Sequence, residues 1–344
     1  MNQQDGAAAV ESPTLTIQRR ADKSLPMRIL LTFSRALRPR LSKPKRAKKA
    51  SIRGSPRLTA PKRVSRSHDV QERKVDDIWI YDVSRKTGGG SGDEPITRRI
   101  YYFAGGGWQM EASPHHWAFA AALVDRLPQT CLSLVSYPLA PENPAAVSMP
   151  MLMTVYTTLM KQSSAAQERV IIAGDSAGGN IALSLVLWAL AESESGQLNV
   201  ESHPAAIMAI SPSTDLRHDD PDMQKVAEKD PMLTIPFVNS TASAWCAGGN
   251  QTDGWMADDP RICPRLAPVE LAQRHNIQIN GVIGTWDVLS PEAIKFVDKC
   301  RDAGVRGEWL IWEGQMHCFP LASKFRLRES VEALEWIAGV MNKV

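Results

Sequence analysis

No run of about 18 apolar residues interrupts the 344-residue sequence, so a membrane-spanning helix is excluded, and 43% hydrophobic with 22% charged residues is the composition of a globular enzyme or receptor. Cysteine is scarce. Cys131, Cys246, Cys263, Cys300 and Cys318 are odd in number, widely spaced and without a C-x-x-C pair. That excludes a zinc or redox dithiol motif and leaves free thiols in a reducing compartment as the simplest account. The first residues, MNQQDGAAAVESP, lack the positive stretch and apolar core of a secretory signal. A cytoplasmic location is therefore expected. Residues 19–65, rich in Arg, Lys and Ser, keep mitochondrial targeting as the alternative, against which Asp5, Glu11 and Asp22 argue. No internal repeat is present.

A net charge of either sign is also missing, at only +3, but the balance hides an asymmetry. Residues 1–68 hold 17 Lys and Arg against three acids, a charge of +14, whereas the remainder holds 23 against 34, a charge of −11. A basic arm can bind nucleic acid or an anionic membrane, but an acidic body of the same chain offers it a closer surface. Docking on that body is the preferred reading; nucleic acid is not expected as a partner, and peripheral membrane contact through the arm stays open. Within the arm, residues 24–41 place Met27, Leu30, Leu37 and Leu41 near one side at helical spacing, with Ile29 and Phe33 beside them. An amphipathic helix ended by Pro39 is expected, followed by an extended linker.

From residue 76 short apolar runs alternate with helical stretches, the pattern of a mostly parallel sheet with helices on both faces. Strands are expected at DDIWIYDV, ITRRIYYF, CLSLVSYPL, RVIIAG, AAIMAIS, IQINGVIG and GEWLIWE. Helices are expected at PHHWAFAAALVDRL, SMPMLMTVYTTLMK, GGNIALSLVLWALAES, PEAIKFVDKCRDAG and ESVEALEWIAGVMN. The division predicted is a basic arm with a cap helix over 1–68 and an α/β catalytic domain over 69–344. Residues 213–267, too long for a simple connection, form a second cap candidate.

The chemistry concentrates where strands end. RVIIAG runs into Gly174-Asp175-Ser176-Ala177-Gly178 and then a long apolar helix, the context that a G-x-S-x-G nucleophile elbow requires. So sharp a turn needs neighbours almost without side chains, supplied by Gly174 and Gly178. A serine hydroxyl is a weak nucleophile and needs a base of pKa near ~6.5. Among seven histidines, His317 follows the last strand, and Asp287 follows the strand before it, giving the order Ser, Asp, His. His115 and His116, just before a helix, are expected to be surface or loop residues rather than metal ligands, and His68, His203, His218 and His275 show no partner pattern. Backbone amides for an oxyanion are expected from Gly105 and Gly106, in the triple glycine after ITRRIYYF, and from Ala177. No metal or organic cofactor is implied.

Taken together, the GGGW loop, SYPLAPENP, GDSAGGN, DDPRICPRLAP, GTWDVLSPE and GQMH resemble the hormone-sensitive lipase family of α/β-hydrolases, most closely its fungal esterase-like members, over about residues 96–320. The resemblance implies an α/β-hydrolase fold with a helical cap built from the N-terminal helix and the insertion. It also implies a small-molecule ester as substrate, sterol-like or polyketide-like. Ala104 stands where the family usually has histidine before the glycines, which bears on the geometry of that loop. Two other readings use the same scaffold: an acyltransferase with the same triad, and a small-molecule receptor that has lost catalysis, against which the presence of His317 weighs. Trp108, Trp117, Trp245, Trp255 and Trp286 suggest an apolar site.

Overall fold

The computed structural model describes residues 15–41, 52–86, 95–247 and 255–344. The Gly-Gly-Asn turn at 248–250 and most of the linker after residue 41 lie outside the described residues. The elements run β1 (Leu15–Arg20), α1 (Leu25–Leu41), α2 (Lys62–Ser67), β2 (His68–Val75), β3 (Ile78–Arg85), β4 (Arg98–Phe103), α3 (Pro114–Val124), β5 (Thr130–Ser136), α4 (Ala145–Ala165) and β6 (Arg169–Asp175). There follow α5 (Ala177–Glu194), β7 (Ala206–Ile210), α6 (Asp222–Ala227), α7 (Ile235–Ala247), α8 (Glu270–Arg274), β8 (Gln278–Gly284), α9 (Ser290–Asp302), β9 (Gly307–Trp312), a 3-10 turn at Phe319–Phe325 and α10 (Arg328–Lys343).

All the predicted strands are present, as β3 to β9, and join one nine-stranded sheet in the order β1-β9-β8-β7-β6-β4-β5-β3-β2. β3 runs antiparallel to β2 and β5; every other pairing is parallel. The central strands read as nearly continuous apolar runs because helices cover both faces. One face packs α4, α5, α8 and α9 through residues such as Met149, Ile181, Leu271 and Phe296. The other packs α1, α3 and α10 through Met27, Trp117 and Ile337.

The two strands that sequence patterning missed lie at the sheet's edges. LTIQRR of β1 pairs in parallel with β9, Leu15 opposite Gly307 and Arg20 opposite Trp312. HDVQERKV of β2 pairs only with β3. An edge strand leaves much of its surface to water, so neither segment carries an apolar run for pattern reading to find. α1 is preceded by Ser24, whose Oγ accepts the Met27 N–H at 3.3 Å and donates to Glu329 Oε2 at 2.8 Å. Met27 and Leu31 are buried, while Ile29 and Phe33 face outward. The helix continues through Pro39 to Leu41 instead of stopping. Arg20 pairs with Glu332 at 2.5 Å, Arg35 donates to the Lys229 carbonyl at 2.7 Å, and Arg38 to those of Ala227 and Leu233, so the arm spans from α10 to the insertion. No helix among the described residues is long and apolar enough to cross a membrane.

Candidate active site

Parallel strands deliver their loops to one edge of the sheet, and the residues singled out in the sequence sit there at the carboxyl ends of β4, β6, β8 and β9. Ser176, between β6 and α5, has φ 54° and ψ −121°. That left-handed backbone is costly for a residue with a Cβ and is held by the Ser176 N–H bonded to the Ile210 carbonyl at 2.9 Å. A Cβ on Gly174 would strike the Gly178 carbonyl, and one on Gly178 would strike that of Phe103, so both glycines are steric requirements of the turn.

His317 and Asp287 are buried and joined, Nδ1 to Oδ2, at 2.7 Å. Burial by itself would lower the affinity of the His317 ring for a proton, but the charge and hydrogen bond of Asp287 outweigh it and hold the pKa well above 6.5. Cys318, next in the chain, anchors this loop: its N–H donates to Ser211 Oγ at 3.1 Å and its Sγ lies 3.6 Å from Asp175 Oδ2. Burial pushes the Cys318 thiol up to about 12, so it stays protonated. Ser176 Oγ has no hydrogen bond among the described residues; such bonds often tighten only with substrate present.

The glycine loop after β4 corrects one expectation. The Gly105 N–H donates to Asp175 Oδ1 at 3.0 Å and is not free to receive an oxyanion. The amides of Gly106, Gly107 and Ala177 have no partner among the described residues. Gly107 has φ 60°, and a Cβ there would lie 2.7 Å from Thr241 Cγ2. Ala104 makes no use of a ring: its carbonyl accepts from Tyr137 Oη at 3.0 Å, and with the Gly105 bond this sets the loop.

Asp175 is the hub that sequence reading overlooked. Besides Gly105 it accepts Tyr102 Oη at 2.7 Å and His116 Nε2 at 3.3 Å. Burial alone would raise its pKa; His116, Tyr102 and Gly105 together bring it below 3.8. His116 is therefore not a surface residue but 8% exposed. Its Nδ1 accepts the Ser113 N–H at 2.8 Å, which places the ring's proton on Nε2 facing Asp175. The signal in the sequence was the Asp inside G-D-S-A-G, whose partners lie 59 to 73 residues away.

The insertion closes over Ser176. A cavity of about 30 Å³ is lined by Gly107, Trp108, Ser176, Ser213, His218 and the apolar Leu233, Phe237, Val238 and Leu289. Trp108 stacks on Trp245 at 5.7 Å, whereas Trp117 packs on Tyr81 and Trp255 on Trp188, away from this cavity. Asp230, buried in the insertion, accepts the N–H groups of Met232, Leu233 and Val288 at 2.7 to 2.8 Å and so ties the insertion to the Asp287 loop. Burial and the charge of Asp287 push its carboxyl up to about 6. A separate cavity of about 390 Å³ between arm and insertion is lined by Lys23, Arg28, Arg35, Lys229 and Trp286. Among the described residues no group of three or more His, Cys, Asp or Glu could hold a metal.

Residues 100–321 match the family of the alpha/beta hydrolase fold. The chain belongs to that family. An esterase of Acinetobacter venetianus is 25% identical over 242 residues, 70% of this chain and 74% of that protein. Human hormone-sensitive lipase is 29% identical over 166 residues, 47% of this chain but 15% of the lipase. Among solved structures, a mutant of the esterase E40 superposes with a TM-score of 0.72 at 19% identity, covering 94% of this chain and 99% of that one. The lipase homologue EstE7 from a metagenome library superposes with 0.70 at 22%, covering 92% and 98%. This α/β-hydrolase is a carboxylic ester hydrolase.

Proposed function

We propose that this α/β-hydrolase cleaves its ester through an acyl-enzyme on Ser176, with His317 as base and Asp287 orienting the ring. The observation that carries the reading is the buried His317–Asp287 bond of 2.7 Å on loops that follow β9 and β8, with Cys318, next to His317, 3.6 Å from Asp175 of the elbow. Ser176 Oγ attacks the ester carbonyl as its proton passes to His317 Nε2. The tetrahedral oxyanion is received by the amides of Gly106, Gly107 and Ala177. Collapse expels the alcohol, which takes the proton from His317. Water, deprotonated by the same ring, then attacks the acyl group and releases acid and free Ser176. An imidazole whose proton affinity is raised by a carboxylate is the stronger base once it is deprotonated.

The substrate is read as a hydrophobic ester, sterol-like or polyketide-like, with its smaller end in the apolar-walled cavity at Ser176 and its bulk outside. The test is hydrolysis of p-nitrophenyl acetate and butyrate by the protein and by a Ser176→Ala variant of verified fold. Activity that disappears in the variant is expected. Equal activity in both would refute the assignment, and preferential transfer of the acyl group to an added alcohol would make the enzyme an acyltransferase.

A further inference from the structure

A second buried His–carboxylate pair adjoins the same cavity. His218, on the loop after β7, has its Nδ1 3.0 Å from Glu292 Oε2 in the first turn of α9, and both side chains are 1% exposed. Its backbone is left-handed, φ 49°, a conformation that costs energy outside glycine and that persists where the surroundings impose it. Burial raises the Glu292 carboxyl, while the ring of His218 acts against that rise. With Nδ1 committed to Glu292, the ring's other nitrogen, Nε2, is buried without a partner, and so is Ser213 Oγ. Both residues line the cavity that holds Ser176.

Three orphaned polar atoms, His218 Nε2, Ser213 Oγ and Trp108 Nε1, on residues around a space otherwise walled by Leu233, Phe237, Val238 and Leu289 are costly unless a ligand satisfies them. The cavity, about 30 Å³, has room for one or two small groups of atoms. A hydroxyl meets both demands: it is small, and it can donate to a neutral Nε2 or accept from a protonated one, so it suits the ring in either state. A carbonyl or a methyl group can do only one of these things or neither. Glu292 fixes the ring through Nδ1, so the direction in which Nε2 points is set before the substrate arrives.

We infer that His218, held by Glu292 and assisted by Ser213, is a specificity residue that hydrogen-bonds a hydroxyl on the end of the substrate entering the Ser176 cavity. The enzyme's preferred esters are then hydroxy-substituted ones. The inference rests on the cavity being the substrate site of the proposed reaction, and its test is arranged to separate the two.

Binding is measured on the Ser176→Ala protein through quenching of tryptophan fluorescence, since Trp108 lines the cavity, and needs no turnover. The probes are ethyl butanoate, ethyl 3-hydroxybutanoate and 2-hydroxyethyl butanoate, which place the hydroxyl on neither side, the acyl side or the alcohol side. One hydroxy ester should bind roughly tenfold more tightly than the parent ester, the worth of one hydrogen bond. In Ser176→Ala carrying His218→Phe as well, the difference should vanish; with His218→Gln, which keeps a polar end, part of it should return. In protein retaining Ser176, the same preference should appear in kcat/KM and be erased by His218→Phe. Equal binding of all three esters, or a preference that survives His218→Phe in a variant with wild-type circular dichroism, overturns the inference. Selective binding without turnover by the Ser176 protein would instead sink the catalytic reading and leave the recognition by His218 standing.

Discussion

Replacing Asp175 by Asn tests the hub that joins the Ser176 elbow to the glycine loop after β4. Every partner of this carboxylate is a donor: Tyr102 Oη at 2.7 Å, the Gly105 N–H at 3.0 Å, His116 Nε2 at 3.3 Å and, more weakly, Cys318 Sγ at 3.6 Å. An amide has the same shape but one acceptor oxygen. If that oxygen keeps Tyr102 and Gly105, the NH₂ faces the Cys318 thiol, which can turn its proton away, and His116 Nε2–H, whose ring cannot shift its proton because Nδ1 is taken by the Ser113 amide. One buried donor left unmatched costs about 1–3 kcal/mol, and two charge-assisted bonds become ordinary ones, losing about 1 kcal/mol each. Removing a buried charge returns part of this. A net loss of about 3 kcal/mol is expected, or roughly 4 °C in Tm for a chain of this size. Because the Asp175 pKa is lowered on folding, its contribution is present above pH 3.8 and is lost only as pH falls through the lower folded value. The difference between wild type and variant should therefore be constant from pH 5 to 8. Urea unfolding followed by tryptophan fluorescence measures it. Since Gly105 anchors the loop of Gly106 and Gly107, kcat toward p-nitrophenyl butyrate should fall about tenfold with KM changed little. A variant within 0.5 kcal/mol of wild type, or one with unchanged kcat, would refute the reasoning.

The raised pKa of His317 predicts that kcat/KM falls toward acid through a limb placed above 6.5, because the ring must lose its proton to serve as base; a limb below 6 would contradict the role of Asp287. Gly107→Ala forces a Cβ to 2.7 Å from Thr241 Cγ2 at φ 60°, so activity should drop at least tenfold, and adding Thr241→Ser, which lacks that methyl, should recover part of it. Asp230 has a folded pKa raised from 3.8 to about 6, so its contribution to stability is full below 3.8 and is lost as pH rises through about 6. Asp230→Asn should flatten the pH dependence of Tm between 4 and 7; an unaltered slope would argue that the carboxyl is not held in its neutral form.

Sequence alone determined what depends on neighbours along the chain. The apolar runs that became β3 to β9 and the long helices between them were legible from hydrophobic period, since a strand buried on both faces has little choice of residue. The Ser176 elbow was legible because its turn needs Gly174 and Gly178, and the placing of Asp287 and His317 on neighbouring strand-end loops because each follows a late strand. Tertiary structure decided whatever depends on partners distant in sequence. β1 and β2 are strands because β9 and β3 offer them free edges, and their own polar residues carry no sign of it. Gly105 was a reasonable oxyanion donor until folding brought Asp175, 70 residues on, to claim its amide. His116 and His218 look alike as isolated ring residues in the sequence, and only packing, which removes water and leaves each ring one carboxylate to bond, made the first a brace for Asp175 and left the second with a free nitrogen beside Ser176. Hydrophobic pattern is a local property, but the hydrogen-bond partner of a buried polar atom is whichever group the whole fold brings within about 3 Å of it.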